Sequence, residues 1–389
     1  MVLDPLYSER EEAAYDKFKQ ICPKPKTLEC LTKLRRLMPG RAKVLRAEWH
    51  TNCRLGRKNA CLFYAVMLRS GYGGPRRLDE AAKHFSDFCD RGEAVACRQY
   101  ALMHAKGETG REDLKKAHSL FQQACNGGDA LGCGHLAPFY LKGWVIEKDL
   151  KKSSQLFQKA CDGGHALSCD TFATMHFDGE GVRKDIALAT DYFLKACDQG
   201  FGQGCFNLGV IYGNGKGVGL DRQKAVELFK KSCDQSFTEG CHNYGIALSK
   251  GNGVTLNGQL AVQILDKACS RKMVQSCLAL ASIYFEGELV EKNLRKAHSA
   301  LGLPCGKGNG KSCMMMAEMY RKGMGVSISY SKAFYFDHLA CRIGEFEACA
   351  NLGDQLTQGF GIDKNHKRAA TMYSKACKGG VKRACTALE

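Results

Sequence analysis

Proline is scarce in this chain, at 7 of 389 residues, and tryptophan scarcer still, at 2. So little proline excludes a Pro-rich disordered chain. No apolar run approaches the roughly 18 residues that a membrane-crossing helix needs, which predicts that no helix spans a bilayer. Residues 1–20 are charged and amphipathic, without an apolar core or a small-residue cleavage site, and carry Asp4, Glu9, Glu11 and Glu12. They read as neither a secretory signal nor a standard mitochondrial presequence. Catalytic signatures are missing as well: there is no HExxH, GxSxG, Walker loop, CxxC, or S-x-x-K with partners. Acid is in short supply, with 40 Asp and Glu against 57 Lys and Arg, a formal net charge of +17.

What the chain has in quantity is cysteine. Its 22 cysteines fall into pairs, each separated by eight positions. The pairs are Cys22 with Cys30, Cys53 with Cys61, Cys89 with Cys97, Cys125 with Cys133, Cys161 with Cys169, Cys197 with Cys205, Cys233 with Cys241, Cys269 with Cys277, Cys305 with Cys313, Cys341 with Cys349 and Cys377 with Cys385. From Cys53 onward the first members recur every 36 residues, and a fixed period of that size marks a repeat array.

Superimposing the units gives the local structure. The second cysteine opens a helical stripe, as in Cys205, Leu208, Gly209 and Tyr212 at i, i+3, i+4 and i+7. The position after the Leu is always small, for example Ala137, Gly209 and Gly353, which predicts close helix approach. A Gly-rich break such as Gly215–Gly217 follows, then an N-cap residue (Asp113, Asp149, Asp185, Asp221, Asn257, Asn293, Ser329, Asn365). The next helix carries an Ala and a Phe, such as Ala225 and Phe229, and ends on the first cysteine of the following pair. Most units place a Gly three residues beyond that cysteine, as a left-handed helix terminator. Each unit is therefore helix A, turn, helix B. We expect an all-α fold, an α-solenoid of about ten 36-residue helix–turn–helix units. Residues 1–22 form a half-repeat helix, 23–385 one continuous solenoid, and 386–389 the end of a half repeat. Pro138 should kink its helix A. Asp337 stands where other units carry an aromatic residue or Leu, which predicts a register shift onto Phe336.

Three readings of the cysteines compete. In one continuous helix, residues eight apart lie about 12 Å apart, too far for a disulfide. If the chain reverses between them they can meet, and a loop this short contributes about 2–3 kcal/mol in the chain-entropy model. Zinc sites bring ligands at closer spacing than these pairs offer. Buried free thiols would need no partner at a fixed offset. The recurrence favours disulfides, hence an oxidising compartment.

The run Leu208-Gly209, Tyr212, Gly215, Gly217-Val218, Asp221, Lys224-Ala225 and Phe229 resembles the Sel-1-like repeat (SLR) family, relatives of the tetratricopeptide repeats. The likeness covers nearly the whole chain, with Val145 in place of a loop glycine and Arg77 in place of an N-cap as local departures. The cysteine pairs look like those of the disulfide-bearing branch. That branch holds the secreted Helicobacter cysteine-rich proteins and a mitochondrial intermembrane-space factor for respiratory chain assembly. The resemblance implies a non-enzymatic protein–protein scaffold. The reading placed first is an intermembrane-space subunit or assembly factor of respiratory complexes. The alternative is a secreted or periplasmic bacterial protein that binds host or cell-wall ligands, and an endoplasmic reticulum adaptor is weaker.

We expect no catalytic residue, cofactor, metal, nucleic acid or small-molecule substrate. His104 and His176 read as core, and Met314, Met315, Met316 and Met319 as soft packing. Charge supplies the one candidate docking surface, Lys33, Arg35, Arg36, Arg41, Lys43, Arg46, Arg54, Arg57 and Lys58, with a second basic group near the C-terminus. Its partner would be an acidic protein subunit or an anionic membrane surface.

Overall fold

A computed structural model describes residues 42–388. The half-repeat helix over 1–22 lies outside the described residues, and so does the expected bridge between Cys22 and Cys30. Four of the basic residues, Lys33, Arg35, Arg36 and Arg41, lie outside them as well, as does Glu389. The described chain is all-helical. Its helices are α1 (Ala42–Arg54), α2 (Lys58–Ser70), α3 (Leu78–Asp90), α4 (Ala94–Ala105), α5 (Leu114–Asn126), α6 (Ala130–Lys142), α7 (Leu150–Asp162), α8 (Ala166–Asp178), α9 (Ile186–Asp198), α10 (Gly202–Asn214), α11 (Arg222–Asp234), α12 (Thr238–Lys250), α13 (Gly258–Ser270), α14 (Val274–Glu286), α15 (Leu294–Gly306), α16 (Gly310–Lys322), α17 (Tyr330–Ile343), α18 (Phe346–Gln358), α19 (His366–Lys378) and α20 (Lys382–Thr386). Even-numbered helices are A helices and odd-numbered ones B helices, the alternation of an α-solenoid. The chain divides into two compact units at Tyr192–Phe193.

The helices start where the Asx and Ser residues stand. Asp113, Asp149, Asp185, Asp221, Asn257, Asn293, Ser329 and Asn365 each accept a hydrogen bond from the backbone N–H three residues on. Arg77 supplies no side-chain cap to α3. The expected left-handed residue after each B helix persists even where glycine is absent, for Ser236 and Lys272 hold φ of 69° and 70°. Val145, the loop departure, sits at φ 57°.

Packing explains the small residues. A Cβ on Gly209 would lie 2.8 Å from the Phe229 ring, and one on Gly353 would collide with the Tyr373 ring. The small position of helix A is thus the seat for the ring of the following helix B. Ser153, which replaces Ala in the B-helix row, is fully buried and donates to the Ala137 carbonyl at 2.9 Å, so its hydroxyl is satisfied. Leu136, Leu208, Leu280 and Leu352 line the inside at 0–2% exposure. Burying such a side chain stabilises by about 1.5–3 kcal/mol.

Pro138 lies inside α6, which runs as one helix from Ala130 to Lys142. One expectation is corrected. Asp337 keeps its register: it is 0% exposed in the ring's place, while Phe336 is half-buried and stacks on Tyr320 at 5.7 Å. The carboxylate is tolerated because the neighbouring A helices supply donors, Arg321 from α16 and Asn351 and Gln355 from α18.

Candidate interaction surfaces

The cysteines of the described residues meet as paired. Five disulfides have their first cysteine in the first third or middle of the chain: Cys53–Cys61, Cys89–Cys97, Cys125–Cys133, Cys161–Cys169 and Cys197–Cys205. Five more follow: Cys233–Cys241, Cys269–Cys277, Cys305–Cys313, Cys341–Cys349 and Cys377–Cys385. Each bridges a B-to-A turn, with Cα–Cα distances of 4.4–4.8 Å. The chain reversal is what brings them together. Cys97, Cys133, Cys169, Cys277, Cys313 and Cys349 all sit in the first turn of an A helix, facing back to the last turn of the preceding B helix. No cysteine is free among the described residues, and Cys22 and Cys30 fall outside them.

The structure divides the predicted basic surface. Arg46 is buried: its guanidinium donates to the Pro75 carbonyl at 2.9 Å and lies against Gly74, so it holds α1 to the α2–α3 loop and is no docking residue. Lys58 is paired with Glu93, and Arg57 donates to the Asn52 side chain at 2.8 Å. The cleft there is also lined by Glu48 and Glu93, so it presents both signs of charge. Lys43 and Arg54 stand at least partly exposed. At the C-terminal end, Arg383 is committed to Glu347, Asn351 and Asp354, and Lys375 donates to the Cys341 carbonyl at 3.0 Å.

Histidines and methionines pack. Burial pushes His104, His118 and His298 below their ordinary value, and each keeps a buried Nε2 without a hydrogen-bond partner. His104 lies edge-on to Tyr100 at 4.6 Å, and His176 lies against Phe172 at 4.6 Å. Burial, helped by the charge of Arg98, lowers His135 to about 4. Met316 and Met319 are buried, Met314 is half-buried and Met315 is exposed. Among the described residues no group of three or more His, Cys, Asp or Glu could hold a metal, and no helix is long and apolar enough to cross a membrane.

Two polar clusters escaped the sequence reading. Arg98 and Asp129 form a buried ion pair at 3.0 Å, while Asp129 also caps α6. Asp337 is the centre of the second. Burial drives its carboxyl up to about 6, against the opposing pull of Arg321 and its hydrogen bonds. The signal for the first was an Asp at an N-cap position. For the second it was a polar residue in the aromatic row, which was seen but not matched with Arg321.

A groove in the second unit was also missed. It is an open cavity of about 340 Å³ along α10, α11 and α12. Val210 and Ile246, the same position in successive repeats, give it half-buried apolar walls, and Val226 and Phe229 of α11 complete them. Gly213 makes the space: two other repeats carry Phe177 and Phe285 at this position.

This geometry, a 36-residue helical hairpin with its Gly turn, N-cap and ring-on-small contact, recurs in the family comparison. The Sel1 repeat matches residues 94–129, 131–165, 173–201, 202–237, 238–272, 274–299, 310–344 and 346–381. The chain belongs to the Sel1-repeat family. Sel1 repeats are generally non-catalytic scaffolds suited to protein–protein interaction.

Two solved structures agree on the fold. A protective antigen present in uropathogenic Escherichia coli strains, displaying an SLR fold, is 22% identical over 88% of this chain and 81% of its own, with a TM-score of 0.66. A Sel1-repeat protein from Oxalobacter formigenes is 20% identical over 83% and 92%, with a TM-score of 0.59. Helicobacter pylori cysteine-rich protein B is 32% identical over 35% of this chain and 97% of its own, with a TM-score of 0.29. No curated protein sequence matches.

Proposed function

We propose that this Sel1-repeat chain is a non-enzymatic scaffold that binds protein partners through surface side chains in an oxidising compartment. The observation that carries the reading is the disulfide ladder: every cysteine of the described residues is bridged, at the same turn of every repeat. Such bridges persist where thiols are not kept reduced. Of the oxidising compartments, a secreted or periplasmic one stands first, with host or cell-wall ligands as the partner class. The SLR-fold proteins described above are bacterial, one of them a protective antigen, and this supports that order. The rival reading, an intermembrane-space subunit or assembly factor of respiratory complexes, rests on the resemblance of the cysteine pairs. In either compartment the exposed Lys43 and Arg54 are available to an acidic partner, whether a protein or an anionic membrane surface.

Native purification from cells, followed by non-reducing mass spectrometry of what co-migrates, tests the proposal. The expected result is a chain lighter by one hydrogen per cysteine, in stable complex with another protein. Recovery from medium or periplasm supports the first compartment, and recovery with respiratory subunits supports the second. A chain with free thiols in the cytosol refutes both.

A further inference from the structure

The groove of the second unit combines apolar walls with a set of hydrogen-bond donors. Five residues whose side chains carry hydrogen-bond donors line it: Asn214 and Arg222, then Asn243, Lys250 and Asn252. None of the five side chains has a hydrogen-bond or ion-pair partner among the described residues, and no carboxylate lines the groove. By contrast, two basic residues nearer the chain's ends, Lys58 and Arg383, are paired with carboxylates. One of the two cations, Arg222, is also a local departure from the repeat, whereas Lys250 stands where Lys106, Lys142 and Lys322 stand in other repeats. Arg222 opens α11 at the position where Leu78, Leu114, Leu150, Ile186 and Leu294 open the corresponding B helices. Lys250 closes α12, one residue after Ser249, and Ser249 is small in the same row as Gly213. Within two successive repeats, therefore, bulk is removed at Gly213 and Ser249 and one cation, Arg222, is added beside Lys250, around an apolar floor.

We propose that this groove binds an extended, acidic segment of a partner protein, with an apolar side chain lodged over Gly213 and carboxylates on Arg222 and Lys250. The inference rests on the scaffold reading above and names its partner chemistry. An extended peptide suits the site better than a compact ligand because the groove is open and its donors are spread over successive repeats. Each Asn carboxamide offers both a donor and an acceptor, the match for a peptide unit. Charge complementarity with no competing carboxylate favours an acidic occupant and a salt-dependent encounter.

The test uses the full oxidised chain and fluorescein-labelled dodecapeptides of Glu and Asp with one central Phe or Leu, read by fluorescence anisotropy. Lys-rich peptides of the same design and a single-stranded RNA dodecamer serve as competitors. Gly213→Phe fills the notch with the residue two other repeats carry, and Arg222→Leu restores the residue that four other B helices start with, so both are chosen to keep the fold. Lys250→Gln removes the second charge alone. The expected result is binding of the acidic peptides, weakened by about tenfold or more in Gly213→Phe and in Arg222→Leu with Lys250→Gln. The charge variant should also lose salt dependence. Unchanged binding in the variants, equal binding of the Lys-rich peptides, or displacement by RNA at equal concentration would overturn the proposal. So would the absence of any acidic-peptide binding. A native protein complex that survives Gly213→Phe refutes this groove while leaving the scaffold standing, whereas finding no complex at all refutes the scaffold reading itself.

Discussion

Replacing Asp337 by Asn should tighten the fold around α17 at neutral pH, although it deletes one half of an ion pair. Asp337 is fully buried in a row otherwise held by rings and Leu, and its carboxyl is raised from 3.8 to about 6. A raised value means that the ionised form suits the folded state less well than the unfolded one. Burial therefore outweighs the attraction of Arg321 and the bonds from Asn351 and Gln355. The rise is roughly 2 units at about 1.4 kcal/mol each, or about 3 kcal/mol as an upper bound. The sign follows from proton counting. Between 3.8 and 6 the folded chain holds a proton that the unfolded chain has lost, so this group's contribution to stability falls as pH rises through that window and stays low above it. The buried histidines run the other way: His84, His104, His118, His135, His165, His242 and His298 are all lowered, so their share of stability rises with pH. Only the difference between variant and parent isolates Asp337. A carboxamide there mimics the protonated carboxyl and offers a donor to the buried Gln355 Oε1, which has no partner. Both tryptophans, Trp49 and Trp144, lie in the first unit, so their fluorescence does not report on this site. Hydrogen exchange read on α16–α18 peptides does. We expect slower exchange in Asp337→Asn at pH 7.5, by up to the factor that about 3 kcal/mol implies, and no difference at pH 4. Faster exchange at pH 7.5 would show that the Arg321 pair outweighs desolvation and would refute the reasoning.

Other outcomes follow from the packing. Val145→Gly should stabilise by about 1 kcal/mol, because Val145 holds a positive φ that glycine adopts freely; a lower melting temperature would contradict this. Gly353→Ala should destabilise by about 1–3 kcal/mol, since its Cβ would collide with the Tyr373 ring, and the double variant with Tyr373→Leu should recover part of the loss in urea unfolding. Removing one bridge by Cys233→Ala with Cys241→Ala should cost about 2–3 kcal/mol, read as faster exchange confined to α11 and α12 rather than loss of the whole fold.

Much of this architecture was legible because the sequence repeats it. The N-caps from Asp113 to Asn365, the left-handed residue after each B helix and the cysteine pairs from Cys53 to Cys385 are local features, set by a few neighbouring residues and confirmed by recurrence. What stayed hidden was contact between repeats. Arg46 reads as surface charge until the Pro75 carbonyl is placed beside it, 29 residues away. Asp337 reads as a defect until Arg321, Asn351 and Gln355 are brought around it. The groove depends on an absence, Gly213, whose effect shows only when α12 lies next to α10. A periodic sequence announces its average, and its departures acquire meaning only when the chain is folded.

The shortness of the bridges has a consequence for how the molecule is made. With 22 cysteines, the conceivable pairings number roughly ten billion. Yet among the described residues each bridge joins thiols only eight residues apart, and the next candidate lies more than twenty residues beyond. A chain that enters its compartment from one end presents each pair before the next has emerged. Correct oxidation is then the nearest-neighbour outcome at every step, and the order of synthesis serves as the proofreader.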